Sequence, residues 1–226
     1  MDGLHEAERN HKIYPEVADG PFESSRDWLS YVSEHHEQII RGIPGTQQSK
    51  ELESLHRFRE ITPRFISSLG DGDFRLFCDD FAAGNILVDK DYNVVCLGDW
   101  EFTYSAPSEY QCCLSSWLIL SKPHTWEQDD YRLYCKQLEL FLQVLREEDS
   151  KRIDTGIIID SASRLSDVIR QGQSDGTFWF VSCAKSGLFF DKLWDRFQRF
   201  DPVNFGSQGI ELKQNGAQCE DPRLTV

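Results

Sequence analysis

Asp80, Asn85 and Asp99 are the residues whose types and spacing could do chemistry. Asp80 and Asn85 stand in one loop, and two short apolar runs follow, Ile86-Leu87-Val88 and Val94-Val95-Cys96-Leu97, with Asp89, Lys90, Asp91, Tyr92 and Asn93 between them. Runs of this length joined by polar turn residues read as a β-hairpin. A hairpin centred near Tyr92 is expected to set Asn85 opposite Asp99 at its open end, on strands about 4.8 Å apart. An amide oxygen and a carboxylate meeting there suit a hard divalent cation such as Mg²⁺, which prefers oxygen donors and is commonly held by one or two protein groups, phosphates and water. Asp80, beside that site, could orient a substrate hydroxyl and accept its proton as a phosphoryl group arrives. Asp, Asn and Gly between strands also furnish ordinary surface turns, so the Asp80–Asn85 spacing taken alone carries little weight; the third position and the strand context separate the two readings.

The elements that must hold these side chains are mainly helical. Phe74, Leu76 and Cys78 alternate as the inward face of a strand that enters the loop from a Gly70–Asp73 turn. Before it, Ser24 and Asp27 offer a capping box for a helix with Trp28, Tyr31, Val32, His35 and Ile39 on one face, ended by Gly42 to Gly45. A second helix runs from about Lys50, with Leu52, Leu55 and Phe58, and is bent or stopped near Pro63. After Asp99 a loop leads to Pro107, a plausible first helical residue, and Tyr110, Cys113, Leu114, Trp117 and Leu118 predict a strongly apolar helix in which Cys112 and Cys113 face different ways. Thr125 to Gln128 reads as another capping box. Tyr131 to Leu145 keeps helical period over four turns, a helix with Ile158, Ala162, Leu165 and Ile169 ends near Gly172, and Phe190, Leu193, Trp194 and Phe197 form a last core stripe.

With these residues in view, Asp80-x-x-x-x-Asn85, the hairpin and Asp99 resemble the catalytic loop and metal-binding segment of the aminoglycoside phosphotransferase family, within the protein-kinase-like fold. Cys-Asp-Asp-Phe at residues 78–81, Gly-Asp-Trp-Glu-Phe-Thr-Tyr at 98–104 and Ser-Asp-Gly-Thr-Phe-Trp-Phe at 174–180 are most similar to the fungal branch. The resemblance implies Asp80 as the catalytic Asp, Asn85 and Asp99 as Mg²⁺ ligands, and ATP as donor to a small-molecule hydroxyl acceptor. Cys78 stands where the family usually has His, and Ala82 and Ala83 where many relatives carry a polar residue and Pro. The implied fold is α+β, mainly helical: the C-terminal lobe of the kinase-like fold over residues 23–200, with a small catalytic hairpin, a polar leader over 1–22 and a loose polar tail over 201–226. No Gly-x-Gly-x-x-Gly occurs, and the two lysines before the loop, Lys12 and Lys50, lack a strand context. The expectation is a C-lobe without its nucleotide-clamping partner lobe, impaired in turnover, or else an inactive pseudoenzyme or binding module that associates through the surface left open.

Composition narrows the classes further. A net charge of −14 disfavours nucleic acid, whose binding draws on Lys and Arg. Seven Cys with no Cys-x-x-Cys indicate neither a zinc site nor a disulfide framework, which points to reduced thiols and a cytoplasmic address. The six His show no metal-ligand spacing, and His35 and His36 read as surface or partly buried helix residues. No apolar run is long enough to cross a bilayer, and the first 25 residues lack a signal-peptide core.

Overall fold

The computed structural model describes residues 21–42, 48–66, 74–114, 116–155, 164–186 and 189–200. Two helices, α1 (Ser25–Gly42) and α2 (Gln48–Ile66), precede four strands: β1 (Phe74–Cys78), β2 (Ile86–Val88), β3 (Val94–Leu97) and β4 (Thr103–Pro107). Four helices follow: α3 (Gln128–Asp154), α4 (Leu165–Asp175), α5 (Thr177–Lys185) and α6 (Phe190–Phe200). The described chain is therefore mainly helical with a small antiparallel β component, arranged as two two-stranded ladders, β1 with β4 and β2 with β3. The expected leader and tail, the Gly70–Asp73 turn, and Ile158 and Ala162 lie outside the described residues, apart from residues 21 and 22.

Burial of apolar helix faces builds one core. Phe180 of α5 lies flat between Phe58 and Phe65 of α2, with ring centroids 4.7 and 4.3 Å away, and Phe190, Leu193, Trp194, Phe197 and Phe200 of α6 are all buried. A second aromatic group joins Trp126, Tyr134, Phe178 and Trp179. Offset and edge-on ring pairs of this kind add to the transfer free energy of the buried area. α5 is apolar almost all round and correspondingly buried, as a helix enclosed by neighbours must be.

Helix starts follow local chemistry. The Asp27 amide donates to Ser24 Oγ at 3.1 Å, and the Ser24 hydroxyl donates to the Asp27 carboxylate at 2.7 Å, which caps α1 as expected. The box at α3 sits two residues later than expected: Glu127 is the cap and Asp130 its partner, because 123–125 is consumed by a 3₁₀ turn opening on Pro123. Pro63 lies inside α2, which continues to Ile66; its ring removes one backbone donor, the one that would reach the Arg59 carbonyl, without ending the helix.

Other expectations are corrected. Phe77, not the Leu76 face, points into the core: Leu76 is 74% exposed and Phe77 3%. The reason is that β1 pairs with a strand the sequence reading missed. β4 aligns Phe77 with Tyr104 and Phe74 with Pro107, so Pro107 ends a strand instead of beginning a helix. The segment expected as an apolar α-helix is a 3₁₀ helix over Ser108–Cys113 followed by turns. The Cys112 and Cys113 sulfurs lie 3.9 Å apart, and both residues are buried instead of facing different ways. Gly172 lies within α4, whose C-terminus is instead Gly176 in the left-handed conformation at φ 88°, a conformation that glycine takes without steric cost. His36, expected at the surface or partly buried, is fully enclosed at 3% exposure.

Candidate functional site

Everything in the site hangs from the β1–β4 ladder and the β2–β3 hairpin. Past Cys78 and Thr103 the first ladder gains one more bond, from the Asp79 amide to the Phe102 carbonyl at 3.1 Å. The loop then closes on itself: the Phe81 amide donates to the Cys78 carbonyl, and the Asn85 amide to the Ala82 carbonyl at 3.0 Å, as residues 83–85 form one 3₁₀ turn. Phe81 is half-buried and meets the edge of Trp117, with ring centroids 6.2 Å apart, so an aromatic side chain anchors the middle of an otherwise polar loop.

Asp80 and Asn85 are brought together. Asn85 Nδ2 donates to the Asp80 backbone carbonyl at 2.8 Å and to Asp80 Oδ2 at 3.3 Å. The amide thereby commits its nitrogen and leaves its oxygen as a free acceptor in kind, the donor a hard cation takes. Asp80 is exposed and Asn85 half-buried. Access of this kind suits a group that must meet a substrate.

Asp99 falls one place further along than the hairpin argument predicts. β2 and β3 pair Ile86 with Leu97 and Leu87 with Cys96, with an irregularity before Val88 pairs with Val94. Continuing the register, the Gly98 amide donates to the Asn85 carbonyl at 2.8 Å, so Gly98, not Asp99, stands opposite Asn85. The extra residue is Val95 of β3, between Val94 opposite Val88 and Cys96 opposite Leu87, and the turn beyond is centred on Asp91. Asp89 accepts from the Asn93 side-chain amide at 3.0 Å and, through Oδ1, from the backbone amides of Asn93 and Asp91 at 2.9 and 2.8 Å; the side-chain bond first, then the backbone ones, hold its carboxyl below the usual carboxylate range, and Tyr92 takes φ 64°. Asp99 itself has φ 60°, a left-handed conformation that Asp tolerates better than most residues and that costs strain where it occurs. Its carbonyl lies 3.9 Å from Cys78 Sγ. Asp99 is therefore adjacent in the chain to the Asn85–Gly98 pair and next to the start of the loop.

By type the candidate donors are all oxygen: the Asn85 amide oxygen and the Asp80 carboxylate, which the hydrogen bond brings together, and the carboxylate of Asp99, which follows Gly98 in the chain. Those residues fit Mg²⁺ by ligand type, with Asn85 and Asp99 as the groups that would hold it. Among the described residues no group of three or more His, Cys, Asp or Glu is arranged to hold a metal, so a cation here would need Asn85 and non-protein ligands.

Sequence reasoning passed over Asp79. Its Oδ1 lies 2.9 Å from Lys185 Nζ at the end of α5, and its Oδ2 accepts from the Tyr104 hydroxyl at 2.9 Å. Lys185 Nζ also sits 4.5 Å from the Phe77 ring centroid. Tyr104 stacks on Trp28 at 5.8 Å, and burial, then the Asp79 charge, push its phenol far above its ordinary value. Tyr104 is thus a packing residue, whereas Trp100 and Glu101 stay at the surface. The available signal was the Asp79-Asp80 doublet, since adjacent carboxylates demand different environments.

The surface around the hairpin is apolar. Leu76, Leu87, Val88, Tyr92, Val94, Val95, Leu97, Trp100 and Phe102 are all exposed, a concentration of large apolar side chains of the kind that marks association or binding surfaces. No described helix is long and apolar enough to cross a membrane. Compared with family models, curated proteins and solved structures, the chain finds no match in any of the three.

Proposed function

We propose that the chain is a kinase-like C-lobe of the aminoglycoside phosphotransferase type, serving ATP- and Mg²⁺-dependent phosphoryl transfer to a small-molecule hydroxyl. The observation that carries this reading is the Asn85–Asp80 hydrogen bond, made in a loop that hands directly to a hairpin closed by Gly98, one residue before Asp99. In this reading Asp80 orients the acceptor hydroxyl and takes its proton. Asn85 holds the Asp80 backbone and side chain in place through its amide nitrogen, and its amide oxygen and the Asp99 carboxylate are the metal-facing donors. Mg²⁺, when bound, supplies charge neutralisation on the nucleotide phosphates. Phosphoryl transfer depends almost wholly on such positioning and charge stabilisation, which the anchored backbone of this loop favours.

The exposed apolar hairpin supports a second reading, a binding module that has kept the lobe as an association surface. A thermal shift with Mg-ATP separates the two. A ligand that binds only the folded form stabilises by RT ln(1 + [L]/Kd), about 2.7 kcal/mol at a hundredfold excess over Kd. Phosphotransfer predicts such a shift, and ADP release that Asp80→Asn abolishes without altering the melting temperature of the unliganded chain. No shift, or equal ADP release from both proteins, removes it.

A further inference from the structure

Asp80 makes its side-chain contact with Asn85 inside its own loop, yet a general base must be fixed relative to the rest of the protein. What fixes it lies one residue earlier. Asp79 is restrained at three atoms by three different partners: its amide by the Phe102 carbonyl, Oδ2 by the Tyr104 hydroxyl and Oδ1 by Lys185 Nζ. We infer that the Lys185–Asp79–Tyr104 cluster is the positioning device for Asp80, a latch that ties the loop to β4 and to the C-terminus of α5; this rests on the phosphotransfer reading of Asp80.

The physical case is specific. Lys185 is the last residue of α5, where a cation is favoured by the helix dipole. Its side chain is 17% exposed and that of Asp79 36%, so the charge-assisted bond is partly sheltered, on the lysine side, from the solvent that weakens surface pairs. The ammonium also faces Phe77, a contact that adds cation–π attraction and limits where Nζ can go. Tyr104 is held on its far side by Trp28 and on its near side by Phe77, so its hydroxyl is a rigid donor. Two carboxylates adjacent in sequence thus divide their roles. Asp79 is neutralised and immobilised, and Asp80 is left exposed on a backbone that cannot drift. A displacement of about 1 Å in such a group can cost ~100-fold in rate, so the latch is a positioning element, not a catalytic one.

The test is amide hydrogen exchange on the whole chain, read at Asp79, Phe81 and Asn85, whose amides donate within or at the edge of the loop. Lys185→Met keeps the apolar stem over Phe77, and Asp79→Asn keeps the shape of the carboxyl. Both are expected to accelerate exchange at those three amides about tenfold or more while exchange in α5 and β4 stays at the wild-type rate, and the charge swap Asp79→Lys with Lys185→Asp is expected to recover most of the protection. Where ADP release is measurable, kcat falls with the KM for ATP within about twofold. Unchanged loop exchange in both folded single variants overturns the inference. So does acceleration spread evenly over α5 and β4, which would mark the pair as a general stability contact, or a swap that behaves as the sum of the single changes. A wild-type chain that shows no Mg-ATP shift would remove the phosphotransfer reading and leave the exchange result to judge the latch alone.

Discussion

His36 couples the fold to pH. It sits on α1 among buried apolar residues, against Phe190 of α6, 3% exposed. Burial first, then the charges of His35 and Arg59, hold its pKa at about 3 against an ordinary 6.5. The unfolded chain therefore binds a proton at His36 below pH 6.5 that the folded chain refuses until about pH 3. The stability this site contributes is complete above 6.5 and is lost as pH falls toward 3. Each unit of pH across that window costs about 1.4 kcal/mol, so acidification from 6.5 to 4.5 removes roughly 2 to 3 kcal/mol. Out of a total of about 5–15 kcal/mol for a domain, that is a large share. Urea unfolding at pH 7, 5.5 and 4.5, done in parallel on wild type and His36→Gln, isolates the site, because the remaining carboxylates and His35 titrate in both. His36→Gln starts less stable or equal at pH 7 and should lose roughly 2 to 3 kcal/mol less than wild type by pH 4.5. Parallel pH profiles would refute the argument and place a partner or solvent at the imidazole.

Two further outcomes follow from burial. Gly172→Ala should destabilise the fold despite the better helix propensity: the added Cβ would lie 2.5 Å from Cys112 Cβ, an atom no side-chain rotation can move, and overpacking of about 1–3 kcal/mol outweighs a propensity gain of about 1 kcal/mol; a urea midpoint at or above wild type would contradict this. Glu109, 5% exposed with Oε1 unpartnered, has its carboxyl pushed up by burial, so its contribution to stability is present below its unfolded pKa and lost as pH rises through the folded one. Glu109→Gln should then stabilise the chain at pH 7 by on the order of 1 kcal/mol, with the gain shrinking toward pH 4.5, as equilibrium unfolding at the two pH values would show.

The parts of the fold legible in advance were those governed by local signals. Ser24 and Asp27 cap α1 because the capping bonds span three residues, and α3 and α6 keep a helical period that one face of a buried helix must have. The hairpin strands were legible to the residue, since Asp89 and Asn93 build their turn from their own side chains. What failed was non-local. Thr103 to Pro107 shows little strand pattern, and it pairs with β1 only because β1 is there to receive it; without that partner, Pro107 reads as a helix start and Leu76 as the inward face. The 3₁₀ winding at Cys112 and Cys113 is likewise set by packing against α4 and α5, where Gly172 makes room for Cys112. At the site, a one-residue error in register was enough to exchange Gly98 for Asp99: the turn is centred on Asp91, where the Asp89 amide meets the Asn93 carbonyl, and not on Tyr92, and the irregularity between Leu87 and Val88 makes up only one of the two residues. Asp79 was passed over for the same reason: its partners, Tyr104 and Lys185, are 25 and 106 residues away in sequence.

The hairpin explains how an exposed site can still be an ordered one. A two-stranded ribbon in water is marginal on its own, and β2–β3 gains little from burial, since Leu87, Val88, Val94 and Val95 all stay exposed. Its order comes from its two ends. At the tip Asp89 gathers the amides of Asp91 and Asn93, and at the base the Asn85 carbonyl receives the Gly98 amide. Asn85 is thus used twice, through its backbone to close the hairpin and through its side chain to hold Asp80. Because these two uses involve different atoms, replacing the amide leaves hairpin closure intact and removes the restraint on Asp80 together with one oxygen donor. The latch acts from the other side, through Asp79, so the backbone of Asp80 is bounded by two independent restraints that share no atom. An exposed acid held in that way keeps its freedom toward solvent and loses it toward the protein, which is the combination a proton acceptor needs.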